Sequence, residues 1–338
     1  MAFCNISKSN YFHNLSVIEQ IIEKDKIAVV LKNNAYGHGL FEIGKLASEY
    51  GIKHAVVNTL SESKVISNLF SSILILQDRV EQEVSSNIIV TINSIEALKK
   101  TYKGTKIEIK VDTGMNRNGI MISEINTALD MVVEKGLVLH GIFTHFANAY
   151  INNDSIYTQK EKFDAMKQNI VNDVRFRNQN IRFHCSASSS LFRIDNKEYD
   201  LVRVGIMSYG YISLPESIIK PNLKPVMSLW AEKITSKTVK KGESIGYGSI
   251  YTAKDDILSS TYDIGYGDGF FRLDGIKDAS IEDGRTILGV VSMNSFSTLG
   301  DDMEVCIFNN AQRFADLHGT IVYEIISNIN PSIDRIVK

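Results

Sequence analysis

At 338 residues the chain exceeds one ordinary domain but falls short of three, and a hydrophobic content of 44% supports a sizeable buried core. Lys and Arg number 37 against 39 Asp and Glu, a net charge of −2 that leaves no electrostatic footprint for nucleic acid. No apolar run nears the ~20 residues that span a bilayer, and the opening MAFCNISKSNYF has no charged start followed by an apolar stretch; a soluble cytoplasmic protein without a secretory leader is expected.

In chain order, KIAVVLK (26–32) is apolar and β-branched and predicts a strand that ends at Lys32. A helix is expected over 40–50, a strand at HAVVNT (54–59), and a helix around Val65, Ile66 and Leu69. ILILQ (73–77) and IIVTIN (88–93) read as two further strands, with a helix beginning near Ser94. KIEIKVD (106–112) precedes a helix with Ile122, Ile125, Leu129 and Val132 on one face, for which Ser123 is the expected cap and Gly136 the expected end. LHGIFTH (139–145) precedes a long helix carrying Phe163, Met166, Ile170 and Val174; RFHCSA (182–187) and LVRVGI (201–206) complete the series.

Eight strand segments, most followed by helical periodicity, match the span of a (β/α)8 barrel. The continuous apolar runs suit a parallel sheet covered on both faces. A doubly wound open sheet fits the alternation almost as well, and the count of eight favours the barrel. Past Pro221 the segments 226–239, 256–266, 285–293, 304–308 and 320–326 all read as strand-like. The chain is therefore divided into a barrel over 1–221 and a smaller, mainly β C-terminal domain over 222–338. Cys4, Cys185 and Cys306 are odd in number and far apart, which suits reduced thiols better than disulfides or a zinc site.

A barrel builds its active site at the C-terminal ends of its strands. Reactive residues recur there: Lys32 closes the first strand, Lys110 and Asp112 the fifth, and His145 the sixth, while His184 lies in the seventh and Arg203 in the eighth. Together they indicate a polar pocket for an anionic ligand. An ammonium at the inner end of an apolar strand is poorly solvated, which favours the neutral amine that condenses with an aldehyde cofactor. Taken alone, Lys32 reads equally well as a lysine snorkelling from a strand end.

The segment LKNNAYGHG (31–39) resembles the cofactor-lysine motif of the alanine racemase family. VDTGMNRNG (111–119), GIFTHFA (141–147), VRVGIMSYG (202–210), GYGSIYTA (246–253) and DIGYGDG (263–269) resemble that family's motifs in its order, and the resemblance runs from HNL at 13–15 to about residue 300. It implies a pyridoxal 5′-phosphate enzyme that interconverts L- and D-alanine, supplying D-alanine for bacterial peptidoglycan. Lys32 then holds the cofactor as a Schiff base and acts as one base of two. Tyr247, from the other subunit of a homodimer with shared sites, is the second base. Tyr36, Ser188, Gly205 and Ile206 match the phosphate cup, Arg203 the arginine at the pyridine nitrogen, and His145 a partner of that arginine. Arg117 matches an arginine that contacts the substrate carboxylate, and Lys110 a lysine carbamylated in many members.

The match departs in three places. Met293–Asn294 stands where Met-Asp is usual at the substrate carboxylate, Ala187 where an asparagine is common, and Pro331 roughly where a phosphate-binding tyrosine lies. The departures leave open a racemase that prefers serine or another small amino acid. From a different class, a non-catalytic pyridoxal phosphate carrier is the alternative, against which the β domain and Tyr247 count.

Overall fold

The apolar runs of the first two-thirds become short strands because their β-branched side chains are buried on both faces. In the computed structural model, which describes residues 1–78, 80–177, 179–273 and 279–338, these strands are Ile27–Val30, His54–Val57, Ser72–Ile75, Ile88–Ile92, Lys106–Asp112, Val138–Phe143, Arg182–His184 and Val202–Val204. They pair in parallel in chain order, and the eighth returns to the first through Val202↔Ile27, Arg203↔Ala28 and Val204↔Val29. An Ala187↔Arg203 bridge spans the seventh and eighth strands, with Arg203 N–H donating to the Ser186 carbonyl at 3.0 Å. A doubly wound sheet reverses its strand order partway, whereas this one runs round once and rejoins itself. The architecture is a nearly closed (β/α)8 barrel.

Helices follow the strands where the apolar spacing demands a buried stripe. Ile125–Glu134 buries Ile125, Ala128, Leu129 and Val132, and Ser155–Val171 buries Ile156, Phe163, Met166 and Ile170. Ile95–Lys100 is capped by Ser94, whose hydroxyl accepts from Ala97 N–H at 3.1 Å. Ser123, expected as a cap, instead lies inside the 3-10 turn Ile122–Glu124. That turn supplies the leading backbone itself. Val174 falls beyond its helix and is exposed.

By its contacts the chain forms two compact units, one of residues 12–33 and 43–223, the other of residues 1–11, 34–42 and 224–338. The second is built on a six-stranded sheet whose spine is the long strand Met227–Val239. Its first half pairs with Phe3–Ile6 and with Glu304–Phe308; its second half pairs with Ile257–Tyr262, which in turn pairs with Phe296–Leu299. Asp334–Val337 lies parallel to Phe3–Ile6 at the edge. Two expected strands fail. Within 285–293 only isolated bridges form, at Thr286 and Ile287. Within 320–326 the chain is helical over Val322–Ser327, because Val322, Ile325 and Ile326 share one buried face at helical spacing and Gly319 (φ +62°) ends the helix before it. Among the described residues no helix is long and apolar enough to cross a membrane.

Candidate active site

Strand periodicity sorts Lys106–Asp112 into two faces. Ile107, Ile109 and Val111 join the apolar core under the helices, which leaves Glu108, Lys110 and Asp112 on the opposite, barrel-lining face. Glu108 is completely buried and Lys110 nearly so. Lys110 Nζ donates to Asn118 Oδ1 on the following loop. Burial, then the charges of Arg117 and Arg203, bring the Lys110 ammonium down to about 8. Asp112 shapes that loop: burial works against its charge, but one carboxylate oxygen accepts the Gly114, Met115 and Asn116 N–H groups at 2.8, 2.9 and 3.1 Å and holds its pKa below the usual range. The loop presents Arg117 at the surface.

Lys32 follows the first strand and is half-buried. Its pKa is lowered by burial and by Arg117, with Glu62 opposing. The turn it opens, Lys32–Tyr36, is helical but left-handed, with φ of 52–54° at Asn33, Asn34, Ala35 and Tyr36. Left-handed helix costs roughly 1–2 kcal/mol per L-residue, least at asparagine. Side chains hold this conformation: Glu62 accepts from Asn33 N–H at 2.6 Å, and Asn34 Oδ1 accepts from Leu40 N–H at 2.8 Å. The Tyr36 ring packs against Tyr323, centroids 6.0 Å apart.

The eighth strand, which pairs with the first, supplies Arg203, which is 5% exposed. Its guanidinium donates to the Thr144 carbonyl at 2.7 Å, to His184 Nδ1, and at 3.4 Å to His145 Nδ1. Burial lowers its pKa to about 10, so it stays cationic at neutral pH. Burial and the Arg203 charge push His145 down to about 3, which keeps that ring neutral and able to accept. Beside them, Ser188 Oγ accepts from both Gly205 N–H (3.1 Å) and Met207 N–H (3.4 Å). Gly205 precedes the 3-10 turn Ile206–Tyr209. That turn is tied down by Tyr209 Oη donating to the Val30 carbonyl at 2.9 Å and by Asn14, from HNL, donating to the Ser208 carbonyl at 3.2 Å.

Tyr247, Met293 and Asn294 belong to the other unit. Tyr247 is 71% exposed, on the short turn Tyr247–Ser249 with Gly246 and Gly248 at φ +75° and +71°. Met293 and Asn294 sit exposed on a loop braced by DIGYGDG, where Gly267 N–H donates to the Met293 carbonyl at 2.8 Å.

Family models describe both halves: the alanine racemase N-terminal domain matches residues 6–213 and the C-terminal domain residues 226–337. The chain belongs to the alanine racemase family. It is 40% identical over 337 residues to an alanine racemase of Nitratiruptor and 39% identical to one of Campylobacter concisus, covering 99% of each chain in both cases. Alanine racemase of Clostridium difficile superposes with a TM-score of 0.88 at 27% identity, covering 100% of this chain and 95% of that one.

Of the residues singled out from the racemase motifs, Lys32, Lys110, Arg117, His145 and Arg203 lie close enough to perturb one another's charge. Ser188 and Gly205 are hydrogen-bonded together in the same unit, whereas Tyr36, Tyr247, Met293 and Asn294 lie in the second. Sequence reading missed Glu108, Tyr323 and Arg335. The signal for Glu108 was a carboxylate at the centre of the apolar run KIEIK. Arg335 donates to the carbonyls of Gly37 (3.0 Å) and Asn330 (2.7 Å), joining the Tyr36 loop to the turn that contains Pro331.

Proposed function

We propose that this enzyme interconverts L- and D-alanine in the cytoplasm with pyridoxal 5′-phosphate held at Lys32, and that it supplies D-alanine for peptidoglycan. The observation that carries the reading is the convergence of a half-buried lysine of depressed pKa, a buried cationic arginine and a hydroxyl–amide cup at one barrel.

The donor set fits the cofactor. Ser188 Oγ already accepts two N–H donors, so its own proton is left for an anionic acceptor such as a phosphate oxygen. The Gly205–Ile206 turn, whose Gly205 N–H already serves Ser188, carries that cup; Tyr36, by its match to the family's motif, is assigned to the same phosphate, and its ring packs against Tyr323. Arg203 suits the pyridine nitrogen, since its cation disfavours protonation there, and His145 accepts from it. When bound, the cofactor supplies electron withdrawal that acidifies the substrate Cα–H.

Racemisation needs a proton taken from one face of Cα and another given to the opposite face. Lys32 Nζ serves one face. Tyr247 Oη, from the partner subunit of a homodimer, serves the other. Its exposure supports that role, and Ile250, Tyr266 and Met293 of the same unit are also exposed, as apolar side chains at an interface are in a lone subunit. Arg117 steers the substrate carboxylate, and Met293 and Asn294 line the access face, where the neutral amide in place of a carboxylate bears on selectivity between alanine and larger substrates.

Borohydride treatment of the holoenzyme should fix the cofactor on the peptide containing Lys32, read by mass, and L-alanine should lose optical activity faster than L-serine or L-lysine. Modification of another lysine removes the cofactor assignment; faster turnover of L-serine moves the substrate. Binding of the cofactor with no turnover of any amino acid would favour the carrier.

A further inference from the structure

Arg203 does not stand alone in the barrel. His184 Nδ1 receives one of its N–H groups, and His184 Nε2 meets Glu108 Oε2 at 2.8 Å. The other Glu108 oxygen is taken by Arg182 Nε, with His140 Nδ1 at 3.5 Å. Arg182 in turn reaches Ser72 Oγ at 3.3 Å, which contacts His54 Nδ1 at 2.8 Å. Glu108 and His184 are both completely buried. Gly141 makes the room, since a Cβ there would lie 2.7 Å from Arg182 Cγ and 2.9 Å from Glu108 Oε1.

The chemistry of the partners allows one arrangement. A guanidinium only donates and an ionised carboxylate only accepts. The imidazole between them must therefore carry its proton on Nε2 and its lone pair on Nδ1, and must be neutral. Phe143 fixes the ring plane, stacked 4.9 Å from His184 at an interplanar angle of 6°, with the Arg203 guanidinium 4.9 Å from the same ring. We infer that Glu108 is a positioning residue for Arg203: through His184 it fixes the orientation of the guanidinium that faces the reacting centre. A carboxylate on Nε2–H also makes Nδ1 the stronger acceptor, as carboxylate–histidine pairs do at metal sites. The two arginines differ accordingly: Arg182 neutralises Glu108, and Arg203 receives its effect.

The inference rests on Arg203 facing the cofactor, and its first readout is independent of that reading. In holoenzyme with 15N-labelled histidine, His184 should show a protonated, hydrogen-bonded Nε2 and an unprotonated Nδ1. Glu108→Gln keeps an acceptor for Nε2–H but leaves Arg182 unpaired. Glu108→Met with Arg182→Met removes both charges at similar volume, which buried ion pairs tolerate without loss of fold. Wild type, Glu108→Gln and the double variant should fall in that order in kcat, the last by about tenfold or more, with KM nearly constant and the hydrogen-bonded Nε2–H signal lost. A ranking that follows melting temperature instead, or a double variant with full kcat, overturns the inference. An Nδ1-protonated His184 in the wild type overturns it even in an inactive preparation, whereas a correct tautomer with no racemisation points to failure of the functional reading.

Discussion

Lys110 is a residue whose charge the barrel resists. It is buried beside Arg117, Arg203 and Lys32, with Asp112 opposing, and its pKa falls from 10.5 to about 8. The folded state therefore binds this proton less tightly than the unfolded state. The penalty is fully present below pH 8 and fades as pH rises from 8 towards 10.5; the shift corresponds to roughly 3 kcal/mol. In protein freed of carbon dioxide, Lys110→Met should be the more stable form at pH 7, and its advantage should shrink across that window, as read by melting temperature. The same shift makes the neutral amine available for attack on carbon dioxide, which forms an N–C bond, releases a proton and leaves an anion to orient Arg117. With 13C-bicarbonate a carbamate resonance should appear in the wild type and be missing from Lys110→Met, and the stability gap at pH 7 should narrow. A gap indifferent both to pH and to bicarbonate would count against the charge argument. Lysine at a strand end was legible in the sequence, but neither its burial beside three cations nor the Glu108–His184 pairing was, because such relations depend on which strands face each other.

At the scale of elements, all eight barrel strands form where continuous apolar runs stood, since a strand buried on both faces leaves a signal that needs no partner to be read. The C-terminal unit was harder. TIVYEII is rich in β-branched residues like a strand yet folds as the helix Val322–Ser327, tertiary burial overriding propensity. Phe3–Ile6 gains its place from Met227–Val239, a pairing across more than 200 residues that no local pattern announces. The left-handed turn at Asn33–Tyr36 was equally hidden, although its asparagines are the residues that tolerate it. Asn34→Ala removes both that tolerance and the bond to Leu40 N–H, and should destabilise by about 2 kcal/mol; Asn34→Gly loses only the bond and should cost about 1 kcal/mol. Denaturant unfolding of the two variants separates the effects. Equal losses would mean that the left-handed backbone carries no strain there.

For the whole molecule, the proposal that a lysine on the barrel and a tyrosine on the second unit serve one substrate raises the question of which chain supplies each. A C2 homodimer offers an answer in which each site takes Lys32 from one subunit and Tyr247 from its partner. Lys32→Ala and Tyr247→Phe should each be nearly inactive, since each removes one of the two proposed proton carriers. In a mixed dimer of the two variants, one site carries both lesions and the other neither. Random equal mixing makes about half of the dimers mixed, each with one intact site of two, so roughly a quarter of wild-type activity should return. Were both groups drawn from a single chain, every site in the mixture would keep a lesion and nothing would return. Coexpression of the variants, native mass measurement of the mixed species and assay in both directions of racemisation decide between the arrangements. Mixed dimers present without recovered activity would place both proton carriers on one chain.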